Sequence, residues 1–570
     1  MDVLLLAKQQ ILRDLKAAIG KEFAPSMDDL APAPDVAMGD LAFPCFAVAK
    51  AQGKPPNEMA SEIAAKMNPK EYLVDIRAAG SYVNFFLSNQ TFGVEVVNRI
   101  HEEGENYGSN DIGKGIRVLV EYANLNTHKD VHVGHLRNLF LGFSLISLLK
   151  ANGYDVIPCY YINDLGAHVA ACLWAISNDR GTPPVDATER MVYLGAKYAE
   201  AVKTSEADAR VKEVISAIHR DLEEMKGPLL PLWQETRAWS LEYLHKVYDE
   251  LGLVIDRKYY ESEMIKPAKE IIDEGIKKGV VTHSQGAWII DLETEKLGVN
   301  LLVKSDGTLL YNAKDLALAY EKESDVHPHR NLIVVDDRQA LVFKQLFASL
   351  KKLGHEKEYS HISYAHVSMK EGAISSRKGN VPRYEDLRDK LLEAAQTSTR
   401  DRHADWTDAQ VRDVAHAIAF TAMRFTMLDQ DRKKALTFDT QKALSFEGRT
   451  GPYLLYTYAR IQSVRKRAGR EKIKPEMVAA LKDPAEHALL MLLGSYPDVV
   501  RTAAAHYAPE LLTLHLFTLC QAFSDLYGRL PIVQAEDKDV RAGRLALCAV
   551  VSRVLENGFS ILGMKPVREM

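Results

Sequence analysis

The stretch Ile116–Ile162 constrains the fold of this chain more than any other. It reads as "IRVLVEYA", a polar loop "NLNTHKDVHVGH", an apolar helix-like run "LRNLFLGFSLISLLKANG", and "DVIPCYYI". Two largely buried strands joined by a helical crossover form a βαβ unit, the building block of a parallel sheet. Within the helix, Leu139, Phe143, Ile146 and Leu149 form an apolar stripe and Gly153 supplies the stop. The strand candidates "NLIVVDD" and "ISYAHVSM" resume the sheet from Asn331 onward, leaving a largely helical insertion over about 190–300. Residues 1–110 mix helices with short strands such as "GSYVNFFL" and end in the polar joint "EEGENYGSNDIGKG". After Val381 the pattern is helical to the end. The expectation is an α/β chain in three parts. An N-terminal α+β domain spans 1–110, a doubly wound parallel-sheet domain 111–390, and an all-helical domain 391–570.

Composition limits the classes of function. With 47% hydrophobic and 26% charged residues the chain is globular, and its 570 residues allow several cores. The five cysteines are scattered, with no CxxC and no cysteine–histidine cluster, so neither disulfides nor a structural metal is expected and a reducing cytoplasm fits. The N-terminus reads as an amphipathic helix closed by Gly20 rather than a signal peptide. The longest nearly apolar run, Leu139–Leu149, falls short of the roughly 20 residues that span a bilayer, so no membrane segment is expected. A net charge of −5 gives no global attraction to nucleic acid. One local exception is "RIQSVRKRAGREKIK", Arg460–Lys474, whose seven basic residues face Glu471 alone for a net +6.

In an open parallel sheet, ligands sit at the carboxyl ends of the strands, where helix N-termini face bound phosphate. His132 and His135 occupy that place. No GxxxxGK[ST] and no GxGxxG occurs in the sequence, so this loop is the candidate phosphate site. Imidazoles can donate to phosphate oxygens as charge grows in a transition state, and Gly134 lets a nucleotide lie against the backbone. Glu121 closes the first strand, and Tyr311 and Asp315 of "YNAKD" lie one helical turn apart on a shared face.

These segments resemble the arginyl-tRNA synthetases, with "HVGH" standing where class I aminoacyl-tRNA synthetases carry their first signature. The similarity extends through "YYINDLGAHVA", "VVDDRQALVFKQLF", "ISSRKGNVP", "ALSFEGRTGPYLLYTYARI" and "LENGFSILGMKPVREM", and covers nearly the whole chain. The resemblance implies activation of L-arginine by ATP with Mg²⁺, then transfer to tRNA(Arg), by a cytoplasmic monomer. It implies that Glu121, Tyr311 and Asp315 face the guanidinium while Asn126, Gln339 and His132 hold the amino-acid end. ATP falls to His132, Gly134, His135 and the altered second signature Ser375, Ser376, Arg377 and Lys378. Because that loop lacks the usual lysine, Lys129 or Lys378 is the expected catalytic cation. The helical tail corresponds to the anticodon-binding bundle, with Arg460, Arg465, Lys466 and Arg467 as phosphate contacts. The first domain corresponds to the part that recognises the tRNA elbow, with Tyr82 and Phe85 as candidate contacts. Two alternatives remain open: a class I enzyme or adenylyltransferase for another small substrate, and a paralogue that only binds RNA.

Overall fold

The Asp2 carboxylate accepts from the Leu5 amide at 3.1 Å and so starts α1 (Val3–Ile19), whose Ala7, Ile11 and Leu15 are fully buried. The computed structural model describes residues 2–20, 23–370, 382–469 and 474–570. After α1 come β1 (Ala31–Pro32), β2 (Leu41–Pro44), α2 (Phe46–Gln52), α3 (Pro56–Lys66), β3 (Leu73–Ala79), β4 (Tyr82–Leu87) and α4 (Val94–Glu103). The four strands make an antiparallel sheet in the order β1-β2-β4-β3. Phe85 is wholly buried in its core, which removes it as an RNA contact; Tyr82 stays exposed against Phe46.

The second region builds around β5 (Arg117–Glu121), α5 (Val133–Ala151) and β6 (Asp155–Ile162), the βαβ unit read from the sequence. The helices α6 (Ala167–Asn178), α7 (Ala187–Ala207), α8 (Ala209–Glu223) and α9 (Leu230–Glu250) follow, then β7 (Arg257–Tyr260) and α10 (Ile265–Lys277). Next are β8 (Val281–Ser284), β9 (Ala287–Asp291), β10 (Val299–Val303) and α11 (Tyr311–Val326). The sheet resumes with β11 (Arg330–Asp336), α12 (Ala340–Lys352) and β12 (Glu358–Tyr364), followed by the short β13 (Val367–Met369). The main sheet has the order β12-β11-β5-β6-β7, every pair parallel. Strand order reverses between β5 and β11, which places a crevice at their carboxyl ends.

The insertion differs from the helical one expected over 190–300. It supplies the edge strand β7 and a separate antiparallel sheet β10-β9-β8. Gln285 and Gly286 take φ of 50° and 83°, the paired left-handed geometry of a two-residue hairpin turn, so "VTHSQGAWIID" alternates as strands. α5 also departs from expectation: apart from half-buried Phe143, Ser147 and Ala151 and exposed Lys150, its central and last turns are buried all round. The sheet covers one side and β13 packs on another. Gly142 is essential to this seat, since a Cβ there would lie 2.3 Å from the Tyr122 ring.

From α13 (Tyr384–Arg402) and α14 (Asp408–Leu428) the chain continues to β14 (Leu436–Phe438), the one-turn α15 (Thr440–Ala443), α16 (Gly451–Ala468), α17 (Pro484–Ala505), α18 (Pro509–Arg529) and α19 (Lys538–Leu562). The tail is therefore not all helical, because β14 pairs in parallel with β13. Compactness groups the segments as Asp111–Ser398 with Thr426–Ala443, and Met1–Asn110 with Thr399–Phe425 and Leu444–Met570. In the latter unit Tyr107 donates to the Leu493 carbonyl (2.9 Å), and the His487 ring meets Asn89 Oδ1 and Asp40 Oδ1 at 2.6 and 2.7 Å. The first 110 residues and the helical tail thus share a core that their separation in sequence hides.

Candidate active site

The loop between β5 and α5 is held from several sides. Thr127 N–H donates to the Asn163 carbonyl (3.1 Å), Val131 N–H to the Tyr243 hydroxyl (3.2 Å), and Tyr384 N–H to the Val131 carbonyl (2.8 Å). Ala123 and His128 adopt left-handed φ of 57° and 59°, a strained state that costs about 1–3 kcal/mol each and needs support. Support is present. Ala123 N–H donates to Asn138 Oδ1 (2.8 Å) and its carbonyl accepts from Tyr248 (2.9 Å). His128 N–H donates to Ser240 Oγ (3.1 Å), and the buried ring bridges the Thr127 and Thr236 hydroxyls.

At the start of α5, His132 and His135 lie ring over ring. His132 N–H donates to His135 Nδ1 at 3.1 Å. Since Nδ1 of His135 accepts, its proton sits on Nε2. Burial pushes the His132 pKa down to about 4 and that of His135 well below the usual value, so both rings are neutral at pH 7. Lys129 adds to both shifts through its charge. A Cβ on Gly134 would lie 3.0 Å from His132 Nδ1 and Cε1, so the glycine also makes room for that ring.

These groups face a cavity of about 570 Å³ at the carboxyl ends of β5, β6 and β11. Glu121, Asn126, His132, Gly134, His135, Tyr311, Asp315 and Gln339 all line it. Lys129 is exposed on the loop and outside the lining. Ser375, Ser376, Arg377 and Lys378 lie outside the described residues. Burial, followed by the neighbouring Glu121 and Glu261 charges, raises the Asp315 pKa to about 7. Phe343 forms part of the wall, its ring 4.8 Å from that of His361.

Sequence reasoning missed several lining residues. Asn138 is one: its side chain both supports Ala123 and donates to the Val334 carbonyl at 2.5 Å, joining the loop to β11. Arg338 is held by Asp336 through two hydrogen bonds (2.7 and 2.8 Å) and lowers the His132 pKa from the facing lip. Lys322 contacts Glu121, and the Asn124 amide donates to the other Glu121 oxygen. One signal for Lys322 was available, since positions 311, 315 and 322 repeat on one helical face.

The basic run of α16 does not present one face. The Arg460 guanidinium packs over the Tyr456 and Tyr527 rings at 4.7 and 5.0 Å. Arg465 points to Ser552, Lys466 is exposed and paired with Glu569, and Arg467 is exposed. Tyr458 is a core residue that donates to Glu556. Among the described residues, α19 is long and apolar enough by length and composition to cross a membrane, but it is mostly buried in the bundle. No three metal-ligating side chains cluster among the described residues.

Comparison with known proteins finds three family models along the chain. Residues 6–87 match the arginyl tRNA synthetase N terminal domain, 96–440 the tRNA synthetases class I (R) catalytic domain, and 454–570 the DALR anticodon binding domain. The chain is 36% identical to the arginine–tRNA ligase of Bdellovibrio bacteriovorus over 98% of both chains, and 32% identical to that of Halothermothrix orenii over 94% of both. Its fold superposes on the Thermus thermophilus arginyl-tRNA synthetase with a TM-score of 0.81, at 24% identity over 99% of this chain and 100% of that one. The Plasmodium falciparum arginyl-tRNA synthetase gives 0.80, at 18% identity over 99% of both. Cavity, sheet and end-to-end similarity agree: the chain belongs to the arginyl-tRNA synthetase family of class I aminoacyl-tRNA synthetases.

Proposed function

We propose that the cavity binds L-arginine and ATP together, forms arginyl-adenylate with release of pyrophosphate, and passes the arginyl group to the terminal ribose of tRNA(Arg). The observation that carries this reading is the pairing, in one crevice, of an acidic floor with two neutral histidines at a helix N-terminus. Asp315, Glu121 and Tyr311 take the guanidinium, for which charge-assisted and bidentate hydrogen bonds suit a planar cation. Asn126 and Gln339 hold the amino and carboxylate end.

Activation requires an arginine carboxylate oxygen to attack the α-phosphorus while the bond to pyrophosphate breaks. The chain's contribution is placement and preorganised donors, with no covalent enzyme intermediate. His135 offers its Nε2–H, and His132 a neutral ring beside it. Their neutrality means that each adds a donor without a fixed positive charge that would over-stabilise ground-state ATP. Magnesium enters as part of the nucleotide substrate. Ser375, Ser376, Arg377 and Lys378 complete the phosphate site in this reading, and Arg460, Arg465, Lys466 and Arg467 contact tRNA phosphates. A cytoplasmic location fits the five buried free cysteines, and a monomer completes this reading.

The deciding experiment is aminoacylation of total tRNA with each of the twenty amino acids. Arginine alone is expected to be charged. Charging with a different amino acid, or binding of tRNA without charging, overturns the reading.

A further inference from the structure

The acidic floor of the cavity holds a cation that none of the roles above uses. Lys322 lies on α11, on the face that carries Tyr311 and Asp315, and its side chain is 3% exposed. Its ammonium contacts Glu121 Oε2, while Glu121 Oε1 accepts from the Asn124 amide. The Asn124 carbonyl oxygen in turn accepts from Tyr161 N–H at 2.8 Å, which fixes the amide's orientation to β6. Both carboxylate oxygens of Glu121 are therefore held before any substrate arrives. Each keeps a further lone pair for a ligand.

Charge decides what this arrangement accepts. Glu121 and Lys322 cancel, as do Asp336 and Arg338, leaving Asp315 as the remaining acid among the described lining residues. One net negative charge then meets one guanidinium. Without Lys322, two carboxylates would share a buried floor with no counter-charge, and at least one would take up a proton. The other groups acting here are Cys159 and Tyr161 on β6, Glu261 before α10, and Lys314 and Asp325 on α11. Lys314 is already committed to Glu223 and Glu261 at 3.1 and 2.8 Å, so it does not replace Lys322.

We propose that Lys322 is a positioning residue for arginine recognition: it holds Glu121 in place and sets the net charge of the guanidinium pocket to minus one. This rests on the reading that the cavity binds arginine. Removing a buried partner usually leaves the other charge uncompensated, so the loss falls on the ligand that the held carboxylate meets.

The test is a double-mutant cycle on the full chain with Glu121→Gln, Lys322→Met and the double variant, read as KM for arginine and for ATP between pH 6 and 9. Lys322→Met is expected to raise the arginine KM about 10²-fold or more while the ATP KM moves about threefold or less. It should also move the pH dependence of arginine use to higher pH, because a lone acidic pair titrates later. Lys322→Arg restores arginine affinity to within about tenfold. In the Glu121→Gln background, Lys322→Met should add little. The double variant adds no unpaired buried charge to the one Asp315 already carries, and keeps the test open if Lys322→Met folds poorly. An equal effect of Lys322→Met in both backgrounds, or none in either, overturns the proposal. An unchanged arginine KM in Glu121→Gln instead overturns the arginine reading of the cavity itself.

Discussion

His132 and His135 stack with ring centroids 3.5 Å apart and planes inclined by 21° at the start of α5. Burial depresses both pKa values, and it does the same to His128 (to about 3) and His168 (to about 4) in the same unit.

The four histidines give a stability prediction with a definite sign. Each folded pKa lies below the ordinary 6.5, so the unfolded chain binds more protons between about pH 6.5 and 4. Their contribution is complete above pH 6.5 and is lost as the pH falls through that window. His128→Asn, which tolerates the left-handed backbone, should flatten the dependence by up to one proton, about 1.4 kcal/mol per pH unit. Urea midpoints at pH 5 and 7 for both proteins measure it, and parallel slopes would count against the assignment.

Asp315 carries the second prediction. With its pKa at about 7, kcat/KM for arginine should rise with pH through that value, because only the ionised carboxylate pairs with guanidinium. Asp315→Asn should remove this inflection and raise the arginine KM by a factor equivalent to about 2–5 kcal/mol, with the ATP KM nearly unchanged. Equal effects on both substrates would take Asp315 out of the arginine pocket.

Arg137, 1% exposed, donates to the Ala365, Lys434 and Asp431 carbonyls at 2.9, 2.8 and 3.1 Å and so ties α5 to the segments around β13 and β14. Arg137→Met keeps the stem but leaves these acceptors without their cationic donor. A loss of about 2–4 kcal/mol in unfolding free energy is expected. A denaturation curve within about 0.5 kcal/mol of wild type would show that other donors replace it.

The cation that meets departing pyrophosphate separates two lysines. Lys129 is exposed yet its charge reaches His132 and His135, and Lys378 belongs to the altered second signature. Lys129→Ala should lower the activation rate about 10²-fold with little change in arginine affinity. If Lys378→Ala shows that loss and Lys129→Ala stays within a few-fold of wild type, the second loop supplies the charge itself.

Local pattern alone determined the βαβ unit, the placement of "HVGH" at a helix start, and the common face of Tyr311 and Asp315. Each rests on alternation, helical period or a cap, and these act over a few residues. The same reasoning could have reached Lys322 by its spacing on α11, but its partner Glu121 lies 201 residues away. Tertiary structure alone decided that pairing, because charge compensation in a buried floor depends on which side chains the fold brings together. It also decided that α5 is buried on nearly all sides, that β14 returns to β13, and that His487 joins Asp40 and Asn89. In each case the energy comes from contacts between distant segments, which periodicity does not record.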